Sequence, residues 1–444
     1  MERTEMNTSD IIIIGGGPGG YEIAAEAASE GKKVTLIERD LLGGTCLNRG
    51  CIPTKCLCAS ASAILTVKGC ADFGVEVEGF TTDYSKAVSR AGEVMDRLRR
   101  GISQMLAKVN VVSGEARLAP GPKVIAGDEE YSAPTILIAT GSKPATLPIE
   151  GAELAMSSDD FLKLTSLPER VCIIGGGVIG MEFASVMAAF GTEVTVVEYC
   201  PEILPPFDKE VAKRLRTTLS RRGVKTIVGT KVTAIRPGME VVYSGKKGDA
   251  SVSCDAVIMA VGRKPVLPEG CEETGINLTS RGFIEVDDDM LTSVDGVYAV
   301  GDVNGKCMLA HAATAQARVA LGEDVDLEYI PSAVFTIPEC AMVGLTEEQC
   351  DAEGIGYETA KAMFAANGKA LAMGEGDGFV KVIYSPATRL MLGCHVIGPH
   401  ASDLVAEATA FMVDGTNIDE IARGVVHGHP TLSEMLASAC NNAK

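Results

Sequence analysis

The sequence predicts an α/β chain: two Rossmann-like domains followed by a C-terminal α+β domain. Three observations predict it. The stretch DIIIIGGGPGGYE, starting at Asp10, returns as RVCIIGGGVIGME, starting at Arg170. From about Tyr329 the pattern changes to short strand-like and helical pieces in alternation. The composition, 46% hydrophobic and 22% charged, is that of a chain with sizeable cores and excludes wholesale disorder.

Taken in order, each copy of the repeat reads as a continuous apolar strand, a Gly-rich turn, an Ala-rich helix and a second strand closing on an acid. The register is constant: Gly15, Gly17, Gly20, Gly31, Thr35 and Glu38 recur as Gly175, Gly177, Gly180, Gly191, Thr195 and Glu198. Each copy is followed by another apolar run ending in glycine, Thr135–Gly141 and Ala256–Gly262, and Lys143-Pro144 or Lys264-Pro265 then breaks the chain. Residues 1–145 form the first part of one domain and residues 146–265 the second domain. Residues 266–328, with the strand-like Gly296–Asp302 and an Ala-rich helix from Met308, complete the first. Residues 329–444 form the last domain, with a strand at Phe379–Tyr384 and a helix at Ser402–Val413.

Glycines at these spacings allow a tight turn, close approach of backbone N–H groups to a pyrophosphate, and close packing of helix on strand. The helix N-terminus then faces the phosphate charge. Glu38 and Glu198 can each accept from both hydroxyls of an adenosine ribose, and a carboxylate there repels a 2′-phosphate. Gly180, and the absence of an Arg pair just after Glu198, favour NAD over NADP in the second copy. Two dinucleotide sites in one chain suggest a hydride donor and an acceptor, for which a flavin plus NAD is the natural pair.

The net charge of −19, with no basic run, makes nucleic acid and anionic membrane surfaces poor partners. The polar start MERTEMNTSD carries no signal-peptide core, and the longest apolar stretch, Val171–Phe190, contains Glu182 and four glycines, so it reads as strand, turn and helix. A cytoplasmic location is expected. Fourteen cysteines in a chain this long do not form a dense secreted framework, and most should be reduced.

Between the first acid and the next domain runs GGTCLNRGCIPTK, residues 43–55. Cys46 and Cys51 can close a disulfide if the chain bends at Asn48–Gly50. Cys51 and Lys55 share one helical face, where an ammonium favours a thiolate. Cys56 and Cys58 follow, but neither zinc nor ferredoxin spacing is present, and no metal is expected.

This stretch resembles the active site of the flavin-dependent disulfide reductases, the pyridine nucleotide-disulfide oxidoreductases. The resemblance extends through both fingerprints, Ala139-Thr140-Gly141, Ala299–Asp302, Met308-Leu309-Ala310-His311 and His427–Glu434. It implies that Gly15, Gly17, Gly20 and Glu38 bind FAD, completed by Lys55, Gly114, Thr140, Gly141, Ser142, Gly301, Asp302 and Met308, Leu309, Ala310 and His311. It implies that Gly175, Gly177, Gly180, Glu182, Glu198, Val232 and Gly262 hold NAD, and that Glu182 pairs with Lys55. Val178 stands where glutathione reductases carry a gating tyrosine, and Gly180 where they carry alanine, so both point away from that branch.

Among the histidines, His429 precedes Pro430, which holds it out of helical conformation, and Glu434 lies five residues on. An imidazole oriented by a carboxylate can act as a general base at neutral pH. On residues alone such a pair is more often structural; the resemblance reverses this and implies that His429 and Glu434 are catalytic. It further implies a homodimer through the C-terminal domain, with each histidine opposite the other subunit's disulfide. The implied reaction is oxidation of dihydrolipoamide by NAD⁺ through a Cys46–Cys51 disulfide and FAD. The short N-terminus places the lipoyl group on a separate carrier protein of a multienzyme complex. The alternatives are a reductase of mercuric ion or of another disulfide within the same family, or a non-catalytic docking subunit.

Overall fold

The computed structural model describes residues 7–121, 123–246 and 248–444. The strand Ile11–Ile14 is buried throughout and lies centrally in a five-stranded parallel sheet, in the order 297–299, 135–138, 11–14, 34–38, 110–113. Such a strand is covered on both faces, which is why it reads as unbroken isoleucine rather than as an alternation. The second copy forms a four-stranded parallel sheet in the order 224–227, 193–197, 170–174, 256–259. The α/β class with two Rossmann-like units is therefore observed. The strand Val297–Ala299 pairs in parallel with Ile136–Ile138, its partners lying 161 positions earlier, so the central segment adds to the first sheet.

Two all-β additions carry no glycine fingerprint. Strands 116–119, 123–126 and 129–132 make a meander that Asn7–Thr8 joins, and strands 231–236, 240–245 and 248–253 make another. The tail forms a five-stranded antiparallel sheet in the order 332–334, 339–344, 391–398, 379–384, 358–363, with helices Ala401–Asp414 and Glu434–Asn441 against it.

The units share apolar contacts. One continuous core contains Leu57 and Ala61 from the helix Cys51–Gly69, Met181 and Phe183 from the second fingerprint helix, and Val334, Phe379 and Ile397 from the C-terminal sheet. The run Gly44–Phe73 is long and apolar enough to cross a membrane by length and composition. It is interrupted at Gly50 and packs on the helices Tyr84–Met105 and Val178–Phe190.

Candidate active site

After Glu38 the chain turns over Gly43 and Gly44, with φ of +95° and +56°. A Cβ on Gly44 would lie 2.7 Å from the Cα of Gly17, so the loop sits directly on the first fingerprint and only glycine fits there. The short helix Gly44–Arg49 presents Cys46. It ends at Gly50, where a Cβ would lie 2.9 Å from the Thr45 carbonyl oxygen, and the helix Cys51–Gly69 starts at once. The Asn48 amide pins the bend by donating to the Gly44 and Leu42 carbonyls at 2.9 and 3.1 Å, and Arg99 donates to its oxygen at 2.8 Å.

This bend brings the two sulfurs into hydrogen-bonding contact. The Cys46 thiol donates to Cys51, and this contact, reinforced by the Lys55 charge and opposed by burial, draws Cys51 down to about 7. The same contact, with burial, pushes Cys46 up. One proton is held between them, on Cys46.

Lys55, one turn past Cys51, reaches Glu182 of the second fingerprint helix at 2.9 and 3.1 Å. Glu182 is buried and also accepts the Phe335 N–H at 2.9 Å, while the Lys55 ammonium lies 4.3 Å from the centre of the Phe335 ring. Burial alone would lower the Lys55 pKa, but the Glu182 carboxylate outweighs it and the net shift is upward. Lys55 thus stays cationic beside the Cys51 sulfur, at a point where the first, second and C-terminal units meet.

The fingerprints are built alike. Gly15 and Gly175 have φ of +109° and +108°, and a Cβ on either would lie 2.3 Å from the carbonyl oxygen of Ala139 or Ala260. A Cβ on Gly20 or Gly180 would lie 1.9 or 2.1 Å from the Gly15 or Gly175 carbonyl oxygen. Gly17 and Gly177 cap the two helices with no side-chain acceptor, leaving first-turn N–H groups to face a ligand. Glu38 accepts from the N–H groups of Gly16 and Asp40 at 2.6 and 2.7 Å; Glu198 does the same with Gly176 and Cys200 at 2.5 and 2.6 Å. Each oxygen keeps a lone pair for a ribose hydroxyl. These cradles fit two dinucleotides.

The other predicted residues fall at the same sheet end or away from it. The Gly114 N–H donates to the Glu38 carbonyl at 2.9 Å. Thr140 donates to the Val266 carbonyl at 2.5 Å, and Gly141 and Gly262 have positive φ after equivalent strands. Ser142 donates to Asp302. The Gly301 N–H donates to Gln316 at 2.8 Å, and Met308, Leu309 and Ala310 lead into the helix Ala310–Ala320. His311 meets the Pro331 carbonyl at 2.8 Å. Val232 lies in the second meander with its side chain buried beside Ile174 and Val197, so only its backbone is free to meet a nucleotide. Val178 starts the second fingerprint helix. Cys56 and Cys58 are buried, and no group of three or more His, Cys, Asp or Glu placed to hold a metal occurs among the described residues.

Sequence reasoning missed Arg263, which donates to the Ser142 hydroxyl at 2.6 Å and to its carbonyl at 2.8 Å, bridging the two chain segments at the Ser142–Asp302 contact. Its signal was present in Gly262-Arg263-Lys264-Pro265, which read only as a chain break. Phe335 and Arg99 had no local signal.

His429 Nδ1 lies 2.9 Å from Glu434, which also accepts the Thr431 N–H at 2.7 Å. That N–H, and then the imidazole, hold the Glu434 carboxyl below its usual range. The His429 side chain is 81% exposed, and among the described residues no hydrogen bond or ion pair connects it to the redox loop of its own chain. His427 is buried against Glu407 at 2.7 Å.

Residues 9–317 match the family described as pyridine nucleotide-disulphide oxidoreductase, and residues 330–440 match its dimerisation domain. A dihydrolipoyl dehydrogenase of Geobacillus stearothermophilus is 37% identical over 98% of this chain and 96% of its own length. One of Thermus scotoductus is 38% identical over 98% of this chain and 97% of its own. Among solved structures, the HOCl-induced flavoprotein disulfide reductase RclA of Escherichia coli superposes with a TM-score of 0.86 at 29% identity, covering 98% of this chain and all of its own. With two fingerprints, a cysteine pair between them and a dimerisation domain all in place, the chain belongs to the pyridine nucleotide-disulphide oxidoreductase family.

Proposed function

We propose that this protein oxidises the dithiol of a dihydrolipoyl group with NAD⁺, with Cys46 and Cys51 as the redox pair, FAD on the first fingerprint and NAD⁺ on the second. The observation that carries the reading is the contact of the two sulfurs beside a cationic Lys55, itself held by the helix of the second fingerprint. As a flavin-dependent disulfide oxidoreductase the enzyme uses FAD and NAD(H). The names of the similar dehydrogenases support the substrate.

In the oxidised enzyme Cys46 and Cys51 are joined. His429, its ring oriented by Glu434, takes the proton from one substrate thiol. The resulting thiolate attacks the Cys46 sulfur, the Cys46–Cys51 bond breaks, and Cys51 departs as a thiolate that the Lys55 ammonium stabilises. The second substrate thiol loses its proton and attacks the substrate sulfur of the mixed disulfide, releasing lipoamide and leaving Cys46 to take a proton. Bound FAD supplies the two-electron relay from the Cys51 sulfur to nicotinamide. Glu182 keeps Lys55 in position throughout.

His429 is exposed on the dimerisation domain and has no partner in its own redox loop among the described residues. This supports a homodimer in which each His429 serves the cysteine pair of the other subunit. The lipoyl group is carried by a separate protein of a multienzyme complex. Fourteen cysteines spread along 444 residues, without the dense spacing of a secreted scaffold, favour a reducing compartment, the cytoplasm. Cys46→Ser is expected to abolish dihydrolipoamide turnover while retaining the flavin absorbance of the purified protein; undiminished turnover overturns the reading.

A further inference from the structure

Tyr199 immediately follows Glu198, and at 73% exposure it is the most open of the phenylalanines and tyrosines among the described residues. Its backbone is rigidly framed. The Thr230 N–H donates to the Glu198 carbonyl at 3.0 Å and the Gly229 N–H to the Cys200 carbonyl at 2.8 Å. The Cys200 N–H is fixed by the Glu198 carboxylate at 2.6 Å. Residue 199 therefore stands on a clamped rung at the mouth of the second fingerprint. Its hydroxyl has no hydrogen-bond partner among the described residues.

The internal repeat supplies the comparison. In the first copy the corresponding residue is Arg39, and the flanking contacts are the same, with the Asp40 N–H on Glu38 at 2.7 Å. Arg39 is committed to a protein partner, Glu115, at 2.9 Å. Tyr199 is a large ring left in water next to the acid placed to grip a ribose, and covering such a ring is favourable. A base attached to that ribose has a π-face of matching size.

We propose that Tyr199 is the platform on which the adenine of the dinucleotide held by Glu198 stacks, which makes it a binding residue for the adenosine half of that dinucleotide. The proposal rests on reading the second fingerprint as the NAD site. Its carrying observation is the juxtaposition of an uncommitted, rigidly mounted aromatic ring with a ribose-binding carboxylate.

The test is calorimetric titration of the FAD-loaded enzyme with ADP-ribose, NAD⁺ and nicotinamide mononucleotide, in wild type, Tyr199→Ala and Tyr199→Phe. Base–aromatic stacking predicts that Tyr199→Ala weakens ADP-ribose and NAD⁺ about tenfold. Tyr199→Phe should stay within about twofold of wild type, because the ring and not the hydroxyl carries the contact. Nicotinamide mononucleotide, which has no adenine, should bind all three alike. Unchanged ADP-ribose binding in Tyr199→Ala overturns the platform alone. An equal loss for nicotinamide mononucleotide overturns it as well, by showing a general disturbance of the site. A wild-type enzyme that fails to bind ADP-ribose overturns both the platform and the assignment of the site beneath it.

Discussion

Lys381 and Asp208 lie 2.7 Å apart and fully out of solvent, although 173 positions separate them. Lys381 sits in the middle of the C-terminal sheet, and Asp208 caps the helix Lys209–Arg221 of the second unit. Glu347 and Glu210 complete the ammonium's surroundings, and His395 packs beside them with its Nε2 2.9 Å from the Leu345 carbonyl. Breaking a buried pair by removing one partner leaves an uncompensated charge, at a cost of about 3–5 kcal/mol. Lys381→Met is therefore expected to lower the urea midpoint strongly. Asp208→Asn combined with Lys381→Met should recover part of the loss.

The same cluster makes stability fall on acidification. Burial holds the His395 pKa below its ordinary value of 6.5, so its neutral form contributes stability that is lost as the pH falls below 6.5 and the unfolded chain takes up a proton. Burial opposes ionisation of Asp208, but Lys381 outweighs it and the carboxyl pKa is lowered, so its contribution is lost at still lower pH. Urea midpoints measured from pH 8 downward should decline through the histidine range, and His395→Gln should flatten that first decline.

The reduced cysteine pair should titrate near neutrality. With Cys51 drawn down to about 7, ultraviolet thiolate absorbance should rise as the pH passes through that value. Lys55→Met removes the attracting charge and should move the midpoint up. Glu182→Gln removes the opposing carboxylate and should move it down. Shifts in the same direction for both variants would contradict the arrangement.

His429→Gln is expected to reduce dihydrolipoamide oxidation about 10²- to 10⁴-fold, the usual worth of a general base. Glu434→Gln should cost less, because it keeps the acceptor for the Thr431 N–H and loses only the charge behind the ring. Electron transfer from NADH to an artificial acceptor, which needs neither residue, should survive in both.

The two fingerprints can be separated by one methyl group. Gly15→Ala forces a Cβ into the Ala139 carbonyl at positive φ and should yield a protein without flavin absorbance. Gly175→Ala makes the same collision with Ala260 and should leave a yellow protein that no longer binds NAD⁺.

What could be read in advance was whatever repeats or lies close along the chain. The glycines, the two acids and the strands behind them follow from local spacing, and the bend between Cys46 and Cys51 follows from Asn48 and Gly50. The helix starting at Ala310 begins two residues later than Met308 suggested, since Leu309 is still extended. The meanders at 116–132 and 231–253 left no strong pattern because many of their side chains are only partly buried. Arg263 on Ser142, Phe335 on Glu182 and Lys381 on Asp208 join segments more than 100 residues apart. No periodicity carries such information; it exists only once the chain has folded.

Val334, Phe379 and Ile397 complete a core whose other half is Leu57, Met181 and Phe183. The C-terminal segment is consequently no detachable module. Severed near residue 329, either fragment would present greasy, unmatched surfaces where the shared core is cut.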